Sequence, residues 1–195
     1  MRTAEIARRT RETDITLSLD LDGSGKTELA TGVGFFDHML DALARFALVD
    51  LSVRCKGDLE VDAHHTVEDV GICLGKAIRD ALGDRAGIRR VGSAYLPMDE
   101  ALAFAAIDIS GRPYLAYDAI FAAPMVGAMD TQLAEEFFRA VAVNAGLTVH
   151  VKVLEGRNDH HKMEALFKAF GLALRDAARF DERVQGVLST KGALD

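Results

Sequence analysis

At 195 residues, 49% of them hydrophobic and 27% charged, the chain can build one core or two small similar lobes packed together. A net charge of −7 argues against a nucleic-acid surface, and no apolar run approaches the roughly 18 residues of a membrane span. Cys55 and Cys73 lack CxxC spacing and read as reduced thiols; with a start, Met1-Arg-Thr-Ala-Glu5, unlike a signal peptide, the expected setting is cytoplasmic.

Residues 1–14 are polar and rich in arginine. The alternation Ile15-Thr-Leu-Ser-Leu-Asp-Leu21 then predicts a strand. Asp22-Gly-Ser-Gly25 supplies a turn, so 15–21 and 27–31 are expected to pair as a hairpin. Phe35, Phe36, Met39, Leu40, Leu43 and Phe46 recur at helical spacing. Leu51–Cys55 reads as a strand, Gly57-Asp58 as a turn and Leu59–Val61 as a short extended piece. His64-His65 lead into a helix over 66–82 that stops at Gly83.

The order then repeats. A buried strand is expected at 101–109, and Asp108-Ile-Ser-Gly111 echoes the earlier turn before Tyr114 to Phe121 completes a second hairpin. A helix at Leu133–Ala145 resembles that around His38, Leu147–Val151 matches Leu51–Cys55, and a last helix runs to about Phe180. Val184 to Asp195, with Ser189-Thr-Lys-Gly192, is too polar for core. The pattern is an internally duplicated hairpin–helix–strand–helix half, an α+β fold with sheets on one side and helices on the other. One domain, 1–195, is expected from halves at about 1–92 and 93–195.

Four of the six histidines fall in two copies of one motif, His64-His65-Thr-Val-Glu68 and His160-His161-Lys-Met-Glu164. On a helix His64 and Glu68 share a face and can chelate one ion, while His65 lies about 100° further round and serves another. Each pair therefore suggests two metal centres. His38 aligns through the repeat with Glu136, so each half offers one residue from its first helix and His-His-Glu from its second, eight ligands in all. A mixed imidazole and carboxylate set without thiolate suits Mn²⁺ or Fe²⁺, and Zn²⁺ also fits. His150 matches Arg54 and reads as a residue behind the ligands or at a strand edge. Arg89, Arg90, Arg112 and Lys168 are placed to recognise a phosphate beside such ions. A dinuclear metallohydrolase of a small phosphate ester would use the same inventory.

Gly34-Phe-Phe-Asp-His-Met-Leu40, Asp62-Ala-His-His-Thr-Val-Glu-Asp69, Ser110-Gly-Arg-Pro113 and Asp159-His-His-Lys-Met-Glu-Ala165 together resemble the imidazoleglycerol-phosphate dehydratase family, over essentially the whole chain. The resemblance implies a half like the second domain of ribosomal protein S5. It implies a lyase of histidine biosynthesis that dehydrates D-erythro-imidazoleglycerol phosphate to imidazole-acetol phosphate with two Mn²⁺ per active site. It also implies a homo-oligomeric 24-mer with sites between subunits and no fused phosphatase, while the acidic balance and the lack of a long apolar run lead to no nucleic-acid or membrane partner being expected. By resemblance His38, His64, His65, Glu68, His160, His161 and Glu164 are metal ligands. Family members often carry His at position 136, so Glu136 departs from the pattern. Arg90, Arg112, Lys168, Ser189 and Lys191 match phosphate-binding positions, and Glu12 matches the acid/base carboxylate. Glu12, His38, Glu68 and Glu164 are the catalytic candidates. The proton at C2 is not next to a carbonyl, so the chemistry needs an ion on the substrate's imidazole to favour the anion that expels the C3 hydroxyl.

Overall fold

The computed structural model describes residues 1–194. The last residue of the polar tail read above, Asp195, lies outside the described residues. In the first half, strands β1 (Thr3–Arg9), β2 (Thr13–Asp20) and β3 (Thr27–Ala30) precede helix α1 (Gly34–Ala47), strand β4 (Asp50–Gly57) and helix α2 (His64–Leu82). The second half runs β5 (Val91–Met98), β6 (Ala101–Asp108), β7 (Tyr114–Asp118), a small ribbon of β8 (Met125–Val126) and β9 (Met129–Asp130), α3 (Leu133–Ala145), β10 (Thr148–Glu155) and α4 (Asp159–Ala178).

The strand orders β1-β2-β4-β3 and β5-β6-β10-β7 are the same order built twice. The expected hairpin of 15–21 with 27–31 is corrected. The Asp22–Gly25 turn does not fold β3 back onto β2; β3 instead pairs parallel to β4, a crossover that α1 makes. The hairpin partner of β2 is β1, hidden in the arginine-rich start. The second half departs identically, with β7 parallel to β10 and β5 antiparallel to β6. Leu59–Val61, expected to be extended, is a turn closed by the Val61 N–H donating to the Asp58 carbonyl at 2.8 Å.

Along β2, Ile15, Leu17 and Leu19 are buried while Asp14, Thr16 and Ser18 face outward, the period-two signature of a sheet covered on one side. Helices α1 and α2 cover the first sheet and α3 and α4 the second, and the halves meet helix to helix, α1 on α4 and α2 on α3. At their centre Phe36, Phe137, Phe138, Phe167 and Phe170 are fully buried, with neighbouring ring centroids 4.9–5.5 Å apart. Burying each contributes about 1.5–3 kcal/mol. The α2–α3 approach needs small residues: a Cβ on Gly75 would stand 2.8 Å from the Val141 carbonyl oxygen, and one on Gly71 3.1 Å from that of Phe137. This cross-half pairing brings α1 beside the second motif and α3 beside the first. No described helix is long and apolar enough to cross a membrane.

Candidate metal centre

Each His-His pair opens a helix, and a polar residue before it shapes the first turn. Asp62 Oδ1 accepts the His64 N–H at 2.7 Å, and Asn158 Oδ1 accepts the N–H groups of His160 and His161 at 2.9 and 3.3 Å. The paired rings are set alike: centroids 6.1 Å apart at 81° for His64–His65, and 6.2 Å at 79° for His160–His161. Neighbouring imidazoles thus face different directions in both copies.

The inner imidazole of the second pair meets a residue of the other half. His38 Nε2 and His160 Nε2 each lie 3.1 Å from Glu164 Oε2, and one ligand atom from each residue falls within 4.8 Å of the others. Phe35 packs edge-on against His160 at 5.1 Å. Lys168 Nζ pairs with Glu164 Oε1 at 2.6 Å and rests over the Phe46 ring. Burial pushes the Glu164 carboxyl up, but the hydrogen bonds from Lys168 and His38 outweigh it and hold the group below the usual glutamate range. Two imidazole nitrogens and an ionised carboxylate converging this closely fit a divalent cation.

The matching group in the first half is open. His64 Nε2 and Glu68 Oε2 are 3.8 Å apart, and both side chains are 44% exposed. Glu136, reached across the α2–α3 contact, lines a cavity of about 560 Å³ with His64, Asp62, Leu59 and Met125, while its carboxylate is 3.6 Å from Arg139. His38 therefore serves the motif of the second half and Glu136 faces that of the first. Each candidate group draws on both halves, because the helices pair across the duplication.

The outer imidazoles, His65 and His161, each carry a carboxylate on Nδ1, namely Asp58 at 2.9 Å and Glu100 at 2.8 Å. Those hydrogen bonds raise both histidines above the usual imidazole range, and the His161 bond takes the Glu100 carboxyl down to about 2. Reading the sequence missed Asp58 and Glu100, which reach the rings from turns. The duplication held a signal for Glu100: the two hairpins align at an offset of 88, which carries Glu12 onto Glu100.

Glu12 sits in the β1–β2 turn, 3.7 Å from His65 Nε2 and 52% exposed. The turn is pinned: Thr10 Oγ1 accepts the N–H of Glu12 and Thr13, and the Thr13 hydroxyl donates to Asp69 on α2, which also receives Arg8. Of the phosphate-binding candidates, Arg90 holds Asp108 with two N–H groups at 2.7 and 3.0 Å and donates a third to the Leu188 carbonyl, beside Ser189 and Lys191. Arg112 lies on the loop after β6, its N–H bound to Ser110 Oγ. The Arg90 backbone N–H bonds to Ala177, thirteen residues past Glu164 on α4. At 1.5 Å per residue that separates the Arg90–Ser189 group from the Glu164 cluster by about 20 Å. Lys168 alone of this set stands at the cluster. His150 is not at a sheet edge: β10 runs between β6 and β7, with the His150 ring 6.2 Å from that of Tyr114.

A half built twice, with imidazole–carboxylate groups at matching helix starts, defines a duplicated α+β enzyme with candidate divalent-ion sites. A family model described as imidazoleglycerol-phosphate dehydratase matches residues 31–174. The imidazoleglycerol-phosphate dehydratase of Acetivibrio thermocellus is 63% identical over 190 residues, 97% of each chain, and that of Symbiobacterium thermophilum 63% over 193 residues, 99% of this chain and 93% of its own. The crystal structure of the Staphylococcus aureus dehydratase superposes with a TM-score of 0.84 at 39% identity, covering 92% of this chain and 99% of its own. That of the Pyrococcus furiosus enzyme, solved with the compound (S)-C348, gives 0.84 at 38% identity, with 97% and 100% coverage. The chain belongs to the imidazoleglycerol-phosphate dehydratase family and is a hydro-lyase.

Proposed function

We propose that the chain dehydrates D-erythro-imidazoleglycerol phosphate to imidazole-acetol phosphate in histidine biosynthesis with two Mn²⁺ ions per active site, each site completed between copies of the chain. The observation that carries the metal reading is the convergence of His38, His160 and Glu164 from opposite halves. The about 20 Å between that cluster and the Arg90–Ser189 group supports shared sites, since a substrate this small cannot span both on one chain. Whole-chain coverage of the relatives supports a single domain of two similar halves. We read the enzyme as a cytoplasmic homo-oligomer acting on a small phosphorylated substrate, and its two free thiols suit a reducing compartment.

His38, His160 and Glu164 would hold one ion, and His64, Glu68 and Glu136 the inner part of a second set, with His65 and His161 turned toward ions shared with neighbours. Bound there, a divalent cation lowers the cost of negative charge on the substrate's imidazole. Glu12, its exposed carboxylate beside His65 Nε2, moves the C2 proton. Arg90, Arg112, Ser189 and Lys191 anchor the phosphate with Lys168, orienting C2 toward Glu12. The test is to supply the purified chain with Mn²⁺ and imidazoleglycerol phosphate and follow both products. Imidazole-acetol phosphate should form without inorganic phosphate; phosphate release would favour the metallohydrolase.

A further inference from the structure

The outer imidazoles are held by carboxylates of different origin. In the β1–β2 hairpin Thr3 faces Asp20, and in the β5–β6 hairpin Val91 faces Asp108, so positions correspond at an offset of 88 and Glu100 is the duplicate of Glu12. Their fates differ. Glu100 Oε1 accepts the N–H groups of Arg157 and Asn158 at 3.1 and 2.7 Å, and Oε2 takes His161 Nδ1. Among the described residues no backbone N–H anchors the Glu12 carboxylate; at His65 the Nδ1 contact is made by Asp58, whose own N–H bonds to the Glu12 carbonyl.

A carboxylate can only accept, and a neutral imidazole has one donor and one acceptor nitrogen. A carboxylate on Nδ1 therefore places the proton there and leaves the lone pair on Nε2, which in both rings points away toward a more exposed carboxylate 3.7 Å off, Glu12 or Asp99. We infer that Asp58 and Glu100 are positioning residues that fix His65 and His161 with Nε2 free for a divalent ion, and that duplication tied Glu100 into this post while leaving its twin Glu12 loose to move protons. This rests on the metal reading above.

Glu100→Gln tests it. The two backbone donors keep the amide oxygen on their side, so the new NH₂ faces His161 Nδ1 and the ring must carry its proton on Nε2. Magic-angle-spinning ¹⁵N NMR of the histidine-labelled, metal-free full chain, above the imidazole titration, should show one of the six histidines change from the Nδ1–H to the Nε2–H tautomer. Mn²⁺ affinity by calorimetry should fall about 10–100-fold, and Glu100→Asp should recover part of both. Asp58→Ala reads the same rule at His65 should Glu100→Gln not fold. An unchanged histidine spectrum, or a changed one with undiminished affinity, overturns the assignment. The expected tautomers in a wild-type chain that takes up no Mn²⁺ would instead overturn the metal reading, and the purpose of Nε2 with it.

Discussion

The two motifs are copies in sequence, yet one is assembled and the other open. Glu164 is 9% exposed, clamped by Lys168 and meets two imidazoles; Glu68 is 44% exposed and stands 3.8 Å from one. The position matching Lys168, at the offset of 96 between the motifs, is Ile72, so Glu68 lacks that ammonium partner. The first helix differs as well, giving His38 on one side and Glu136 on the other. Duplication kept the geometry of each His-His pair and changed what stabilises it, leaving one preformed group and one that a ligand must gather. On the metal reading proposed above, a divalent ion is expected to fill the preformed group before the open one, which a Mn²⁺ titration would resolve as two steps.

The largest expected effect falls on the free twin of Glu100. Glu12→Gln should lower turnover by about 10²–10⁴-fold with metal content and substrate binding retained, measured as kcat beside equilibrium binding; retained turnover would remove Glu12 from the reaction. Lys168→Met should make the closed group resemble the open one, weakening its Mn²⁺ affinity by about 10–100-fold in calorimetry. Gly75→Val forces a branched side chain into the α2–α3 contact beside the Val141 carbonyl, which should cost about 1–3 kcal/mol in denaturant unfolding. Glu136→His should change Mn²⁺ binding on the α2 side only, with the ion of His38, His160 and Glu164 unaffected; equal changes in both would contradict the cross-half pairing. Smallest of all, burial pushes both Cys55 and Cys73 to about 11, so at pH 8 each remains the unreactive neutral thiol, and alkylation should be slow until the chain unfolds.

The elements that frame both motifs were legible in sequence. The 3.6-residue period gave all four helices, α3 with the bounds Leu133–Ala145, and the repeated His-His-x-x-Glu located both helix starts. Strands β1 and β5 were hidden because neither alternates cleanly: β1 carries Arg8 on its inner face, where it reaches Asp69 on α2, and β5 exposes Val91 and Tyr95. The parallel partners of β4 and β10 were missed for another reason. Turn chemistry reports only neighbours, whereas a crossover is decided by the helix packed between its strands. Asp58 and Glu100 lie in turns, with nothing local to mark the imidazoles they meet. Only the hairpin offset of 88 pointed from Glu12 to Glu100.

Diffraction from Mn²⁺-grown crystals, collected at the manganese absorption edge, tests the central claim most directly. Two anomalous peaks per active site are predicted, one against His38 Nε2, His160 Nε2 and Glu164, the other against His64 and Glu68, with His65 and His161 of neighbouring copies completing them. Peaks elsewhere, or none at saturating Mn²⁺, would contradict it.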